Sequence, residues 1–172
     1  CVLLADDADE PVRPAILYGV DTRATAQIDR MTAELGVDDI TRVGGSTLTT
    51  QAGGPKIVWI ADEEPAAYAA ARRLFMPASW LARHLTGAYV LDHQSASQVS
   101  PLYDVEREEW HAGNWARFAP GIEAPRLLWA GDIAGTVTDA AAATTGLPAG
   151  TPVIAGTIDA WSEAVSVGAH EL

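Results

Sequence analysis

The sequence is poor in basic residues and in long apolar runs, and each shortage argues against a class of protein. Its 172 residues contain 11 Lys+Arg against 23 Asp+Glu, for a formal net charge of −12. Nucleic acid is therefore not expected as a partner, because a phosphate backbone is bound by clustered Lys and Arg. The same shortage leaves no polybasic patch for a membrane surface, and no apolar run reaches the roughly 20 residues of a spanning helix.

Cysteine is also scarce. The single one, Cys1, cannot form an internal disulfide, which is typical of the reducing cytoplasm, where we expect the protein. The chain begins CVLLADDADE, without the basic segment of a signal peptide, and this start is typical of a strand inside a domain. We therefore expect a fragment. No linker or internal repeat divides the 172 residues, so we expect one domain.

Motifs of several enzyme classes are missing as well. The glycines of residues 43–55 are too scattered for a phosphate loop, and no GK[ST] follows them. There is no GxSxG nucleophile elbow. The histidines lack i,i+4 partners and cysteine neighbours, so we predict no metal site; they are His84, His93, His111 and His170.

Strand and helix patterns run through the whole chain and predict an α/β protein. We predict strands over 1–5, 13–21 and 152–158, the first two forming a hairpin. Residues 43–55 and 90–104 are predicted as loops. The predicted helices are 22–36 with a Gly36 C-cap, 56–65, 64–75, 79–87 with a Ser79 N-cap and a Gly87 C-cap, a short one carrying Trp110 and Trp115, 139–145, and one from Asp159 to Ala169.

A lone aspartate stands between the last predicted strand and the last predicted helix. Val153, Ile154 and Ile158 suit a buried strand, and Asp159 follows them at the first helical position. Helix capping accounts for such a residue, since Asp suits the positive end of a helix. A catalytic carboxylate accounts for it too, because ligands of α/β sheets bind outside the carboxyl ends of strands. The local sequence leaves both interpretations open, and both can hold together.

The stretch YGVDTRA, residues 18–24, is the second candidate. Tyr18, Asp21 and Arg23 follow a predicted strand at its carboxyl end. An aromatic face with a carboxylate and a guanidinium suits a polyhydroxylated ligand, because rings pack on C–H faces and charged groups bond to hydroxyls. The alternative is an Asp N-cap with a surface Arg salt bridge.

Four stretches, in this order, resemble sequence blocks of the FGGY carbohydrate kinases. They are RPAILYGVDTRA, GGPKIVWIADEEPAAY, SWLARHLTGAYVLDHQSAS and TGLPAGTPVIAGTIDAWSEAVSVGA. The third resembles the block D-(Y/W)-L-x-x-x-LTG-x-x-x-x-D-x-S-x-AS, and the last resembles GLPxGTPV-x-x-G-x-x-D. Together the four cover almost the whole chain.

This resemblance implies a ribonuclease-H-like fold of the actin and hexokinase type, with residues 1–172 forming part of the N-terminal, sugar-binding lobe. It implies ATP and Mg²⁺ as cofactors, a sugar as substrate and Asp159 as the catalytic base, with Tyr18, Asp21 and Arg23 on the sugar side. The family's DxGT phosphate motif and opening strands, and its nucleotide lobe, are absent from these 172 residues. We therefore expect this chain to be inactive by itself.

The resemblance favours a pentulose such as xylulose or ribulose as the phosphate acceptor. Two departures weaken an assignment to xylulose: Ala160 stands where xylulokinases often carry Asn, and Tyr18 replaces a tryptophan. The alternatives are a glycerol or polyol kinase and a non-catalytic sugar-binding module. Without the opening strands, we expect strand 152–158 to lack sheet neighbours and the chain to self-associate, as a homo-oligomer or otherwise.

Overall fold

The computed structural model describes residues 1–168, and within them short strands alternate with helices. The strands are β1 Leu3–Ala5, β2 Arg73–Phe75, β3 Val90–Asp92, β4 Tyr103–Asp104, β5 Glu109–Trp110, β6 Arg126–Leu128, β7 Ile133–Thr136 and β8 Pro152–Ile154. The helices are α1 Thr25–Leu35, α2 Val37–Gly44, α3 Gly53–Glu63, α4 Pro65–Ala70, α5 Pro77–Thr86, α6 His93–Ser97, α7 Ala112–Phe118, α8 Asp139–Thr145 and α9 Asp159–Ser166. No helix of this part of the chain is long and apolar enough to cross a membrane.

The chain forms two compact units. The first comprises Cys1–Phe75 and Ala96–Ala124, and the second comprises Met76–Ser95 and the described residues from Pro125. In the first unit, β1 and β2 pair antiparallel, with Leu4 opposite Leu74. Both of these leucines are fully buried, as are Met31 of α1 and Ile57 of α3, which together form an apolar core.

The second unit contains the parallel pair β3 and β6 and the antiparallel pair β7 and β8. Ala82 of α5 packs with Val90 of β3 and Ala134 of β7. Leu85, one turn further along α5, packs with Val137 and with Ala141 of α8. Helix α5 therefore holds both strand pairs and α8 together.

Several helix predictions are confirmed at their ends. Helix α1 ends at Leu35 with Gly36 as C-cap at φ +82°, a conformation that favours glycine. Gly87 caps α5 in the left-handed conformation. Helix α8 spans residues 139–145 as predicted, and α9 begins at Asp159.

Two strand predictions are wrong, the first because no strand forms and the second in its extent. Residues 13–21 form no strand, and only Ile16 bridges to Val2. The reason is local, since Pro11 and Pro14 have no N–H to donate to a ladder. Strand β8 stops at Ile154 instead of continuing to residue 158, and it has an antiparallel neighbour in β7.

Other predictions are wrong in type. The helix predicted over 64–75 ends at Ala70, because residues 73–75 pair with β1 as β2. The loop predicted over 90–104 contains β3, α6 and β4, and the loop over 43–55 ends where α3 begins at Gly53.

Ser79 is not the N-cap of α5, since Met76 occupies that position. Trp110 lies on β5 and not on a helix, and the predicted Ala169 end of the last helix and His170 lie outside the described residues.

Candidate functional site

Asp159 is the first residue of α9, and its side chain is exposed. The N-cap is Ile158, so Asp159 does not cap the helix in the strict sense. Its Oδ1 accepts a hydrogen bond of 2.8 Å from the backbone N–H of Ala160, and its Oδ2 accepts none from the residues described. A carboxylate in the first turn suits the positive helix end and remains accessible.

Three hydrogen bonds to other segments of the second unit hold the stretch between β8 and α9. Backbone N–H groups donate from Ala155 to Asp132 O at 2.9 Å and from Gly156 to Ala130 O at 3.0 Å. The hydroxyl of Thr157 then donates to Oδ1 of Asp92 at 2.7 Å. Gly156 has φ +70°, in the region that favours glycine. These hydrogen bonds hold the backbone that leads to Asp159.

Asp92 is the last residue of β3 and is 1% exposed. Its Oδ1 accepts from the Thr157 hydroxyl and also, at 3.0 Å, from the backbone N–H of Ser95. Its Oδ2 is buried and has no hydrogen-bond partner among the described residues. Our sequence analysis did not select Asp92. The signal was present in the third block, where this residue matches the aspartate of D-x-S-x-AS.

Tyr18, Asp21 and Arg23 lie on one turn of the first unit. The backbone N–H of Asp21 donates to Tyr18 O at 2.9 Å and closes the turn. Arg23 Nε lies 2.9 Å from Asp21 Oδ1, and Arg23 Nη2 lies 2.8 Å from Asp21 Oδ2. The hydrogen bond from Arg23 lowers the pKa of Asp21 below its usual value. The Tyr18 side chain is exposed.

A neighbouring helix supports this turn. The guanidinium of Arg23 lies 4.8 Å from the ring centre of Trp59 on α3, which is cation–π distance. Asp21 and Arg23 thus partner each other, as the surface salt-bridge interpretation predicts. Their role as sugar ligands stays a prediction. Asp159 belongs to the second unit, so these three residues and Asp159 do not share a unit.

Lys56, the only lysine of the chain, lies behind the same turn and is 1% exposed. Its ammonium donates to the backbone oxygen of Thr50. Thr50 in turn donates through its hydroxyl to Gly19 O at 3.0 Å, and Gly19 N–H donates to Gln51 Oε1 at 3.2 Å. Burial lowers the pKa of Lys56, and the negative charge of Asp21 opposes this shift. The network fixes the turn that carries Tyr18.

Comparison with known proteins covers almost the whole chain. Residues 1–166 match the model of the N-terminal domain of the FGGY family of carbohydrate kinases. The chain is 31% identical over 114 residues to the xylulose kinase of Lactococcus lactis subsp. lactis, an alignment that covers 63% of this chain and 21% of that protein. It is 32% identical over 120 residues to the autoinducer-2 kinase of Klebsiella pneumoniae subsp. pneumoniae, covering 69% of this chain and 22% of that one.

Among solved structures, the xylulose kinase of Rhodospirillum rubrum superposes with a TM-score of 0.91 at 28% sequence identity. The match covers 99% of this chain and 35% of that one, so the chain spans about a third of that relative's length. The predicted α/β, ribonuclease-H-like fold is confirmed. The 172 residues belong to the FGGY family of carbohydrate kinases, whose N-terminal domain they match from residue 1 to residue 166.

Proposed function

We propose that the whole protein containing this chain transfers the γ-phosphate of ATP to a hydroxyl of a sugar, with Asp159 as the catalytic base. The observation that carries the proposal is the exposed carboxylate at the first residue of α9, within the segment matched by the family model. Phosphoryl transfer asks a protein mainly for positioning, charge and a carboxylate that accepts the hydroxyl proton. Such a kinase works in the cytoplasm, where ATP is available.

The reaction needs one proton acceptor on the sugar side. Asp159 takes the proton of the attacking hydroxyl while that oxygen bonds to the γ-phosphorus. The bond from the γ-phosphorus to the β,γ-bridging oxygen breaks, and ADP leaves. Asp159 suits this step because its side chain is exposed and its Oδ2 accepts no hydrogen bond from the described residues.

The turn carrying Tyr18 contributes to the sugar side in this proposal. The exposed ring of Tyr18 offers a face to sugar C–H groups, and the Asp21–Arg23 ion pair lies on the same turn. Because the two charged groups are already paired, we expect them to shape the turn and to accept or donate only secondary hydrogen bonds to hydroxyls.

Mg²⁺ normally accompanies ATP in phosphoryl transfer. Within residues 1–168 no three His, Cys, Asp or Glu side chains are grouped so as to hold a metal ion. Mg²⁺ that arrives with ATP needs no such group, because substrate phosphates, waters and one or two carboxylates usually hold it, and none of the steps above uses a cation bound by these residues.

We propose a pentulose, xylulose or ribulose, as the acceptor. Support comes from the names of the similar proteins, a xylulose kinase at 31% identity and a solved xylulose kinase with a TM-score of 0.91. Autoinducer-2 is the second candidate, because a kinase of that name is 32% identical over a longer stretch.

The test is turnover by the whole protein with ATP and a panel of acceptors: D-xylulose, L-xylulose, D-ribulose, autoinducer-2 and glycerol. We expect Asp159→Asn to lower kcat by roughly 100-fold or more, the scale of losing a general base. The matched control is Asp139→Asn, since Asp139 is likewise exposed and first in its helix.

The control should keep normal turnover, and both variants should melt at the temperature of the unsubstituted protein. Near-normal turnover in Asp159→Asn would remove the base assignment. Phosphorylation of glycerol alone would replace the pentulose by a polyol, and binding of a sugar without any transfer would leave a sugar-binding module.

A further inference from the structure

Asp92 and Thr157 join two places that are far apart in sequence. Asp92 ends β3, whose parallel partner is β6, and Thr157 lies two residues before Asp159. The carboxyl ends of parallel strands are where α/β proteins bind ligands. The hydrogen bond of 2.7 Å from Thr157 to Asp92 therefore ties the segment that carries Asp159 to this edge of the sheet.

Thr157, the donor of this bond, lies between Gly156 and Asp159. Gly156, just before Thr157, is at φ +70°, and glycine gives the backbone more freedom than any other residue. After Thr157 the chain enters α9, whose first residue is Asp159. The Thr157 hydroxyl bond thus holds the stretch between Gly156 and the exposed carboxylate of Asp159.

Asp92, the acceptor of this hydrogen bond, is buried and accepts from two donors. Asp92 is 1% exposed, and burying a carboxylate is costly unless its oxygens are hydrogen-bonded. Both of its described hydrogen bonds converge on Oδ1, while Oδ2 has no partner among the described residues. The Thr157 hydroxyl is the side-chain donor to this oxygen, and its distance of 2.7 Å is that of a well-formed O–H···O hydrogen bond.

We propose that Asp92 is a positioning residue, which acts through Thr157 to fix the orientation of the Asp159 carboxylate. The inference rests on the proposed function, since Asp159 must be the base for its orientation to matter. Asp92 itself does not touch the reacting atoms in this proposal.

A purely structural role for Asp92, as the cap of α6, can be separated from a positioning role by the choice of variants. Its Oδ1 also accepts from Ser95 N–H, the pattern of an N-cap for α6. Thr157→Val removes the bond to Thr157 and leaves this cap intact, whereas Asp92→Ala removes both. The conservative variants Thr157→Ser and Asp92→Asn keep the hydroxyl and the acceptor oxygen, respectively.

The first measurement is kcat and KM of the whole protein. Thr157→Val and Asp92→Ala should each lower kcat by about 10- to 100-fold, the scale of a small misplacement of a catalytic group, with KM changed by less than about threefold. The double variant should lose no more than Asp92→Ala, because Asp92→Ala already removes the bond that Thr157→Val breaks. Thr157→Ser and Asp92→Asn should restore kcat to within about threefold, and the control Thr144→Val on α8 should behave normally.

The second measurement is amide hydrogen exchange over residues 158–162, which does not depend on activity. Exchange there should quicken in Thr157→Val and not in Thr157→Ser. Normal kcat in Thr157→Val, with Asp159→Asn inactive, would overturn the positioning role and leave the proposed function standing. Normal kcat in Asp159→Asn would overturn the proposed function itself. Unchanged exchange in Thr157→Val would show that the bond restrains nothing.

Discussion

Gly54 shows how closely single residues are packed around α3. A Cβ at this position would lie 2.5 Å from the backbone oxygen of Ser100 and 2.9 Å from Leu102 Cδ1. The first contact is with backbone, which cannot move aside as a flexible side chain can. Gly54 therefore lets α3 approach residues 100–102, and α3 in turn carries Lys56 and Trp59 to the turn that holds Tyr18.

We predict that Gly54→Ala lowers the free energy of unfolding by about 1–3 kcal/mol, the usual cost of overpacking a core. The matched control is Gly131→Ala, because a Cβ at Gly131 would meet nothing within 4 Å. The control should stay within about 0.5 kcal/mol of the unsubstituted chain. Urea unfolding followed by tryptophan fluorescence measures both, and equal stability of the two variants would contradict the close packing.

At the scale of elements, the start of α5 depends on a serine inside its first turn. Ser79 is buried, and its hydroxyl accepts from Met76 N–H at 2.8 Å and donates to Met76 O at 2.9 Å. The hydroxyl thus closes the first turn of the helix that holds both strand pairs of the second unit.

We predict that Ser79→Ala destabilises the protein by about 1–2 kcal/mol, the range of losing a helix cap. Ser162→Ala is the control, because Ser162 also lies in a first turn but is exposed, and among residues 1–168 its hydroxyl bonds to Ile158 O alone, at 3.3 Å. Its effect should stay within about 0.5 kcal/mol. Thermal melts measure the stability of both variants. A loss of stability in the control as large as that in Ser79→Ala would contradict the prediction.

Elements with local signals could be predicted from the sequence, and elements made by distant pairing could not. Helix α8 carries its own N-cap Thr138 and C-cap Gly146, so residues 139–145 were predicted with the correct ends. Strand β2 follows an alanine-rich run and becomes a strand only because residues 3–5 pair with it. Strand β3 has three residues, too few for an alternating pattern, and depends on β6 for its ladder.

The same difference between local signals and distant pairing applies to the residues of the candidate site. Asp159 was predictable because a strand-like run, an aspartate and a helical pattern are contiguous in sequence. The third block could have singled out Asp92, but its bond to Thr157 was not predictable, because the two residues are 65 positions apart and only the fold brings them together. The pairing of Asp21 with Arg23, two residues apart, was foreseen as one of two alternatives.

At the scale of the whole molecule, the second unit leaves several large apolar side chains exposed. Ile133 and Ile154 are paired across β7 and β8 and are both more than half exposed, at 55% and 51%. Strand β8 pairs only with β7 among the described residues, so its other edge offers unpaired backbone groups. An apolar edge strand is a template for pairing with another chain.

We predict that the 172-residue chain self-associates at micromolar concentration, despite the mutual repulsion that a net charge of −12 brings. Ile154→Lys should shift it toward monomer. Thr151→Lys adds the same charge at an exposed neighbouring position and should not. Sedimentation velocity measures the species present, and a clean monomer for the unsubstituted chain would contradict the prediction.

The buried position of the only lysine has a practical consequence for handling these 172 residues. An endoprotease that cuts after lysine has a single site here, and it lies in the first turns of α3 with its side chain 1% exposed. Proteases cut chain that is unfolded or transiently opened, so cleavage at Lys56 requires α3 to open. The rate at which one gel band is replaced by two would then report the opening of the first unit, without any label or engineered site.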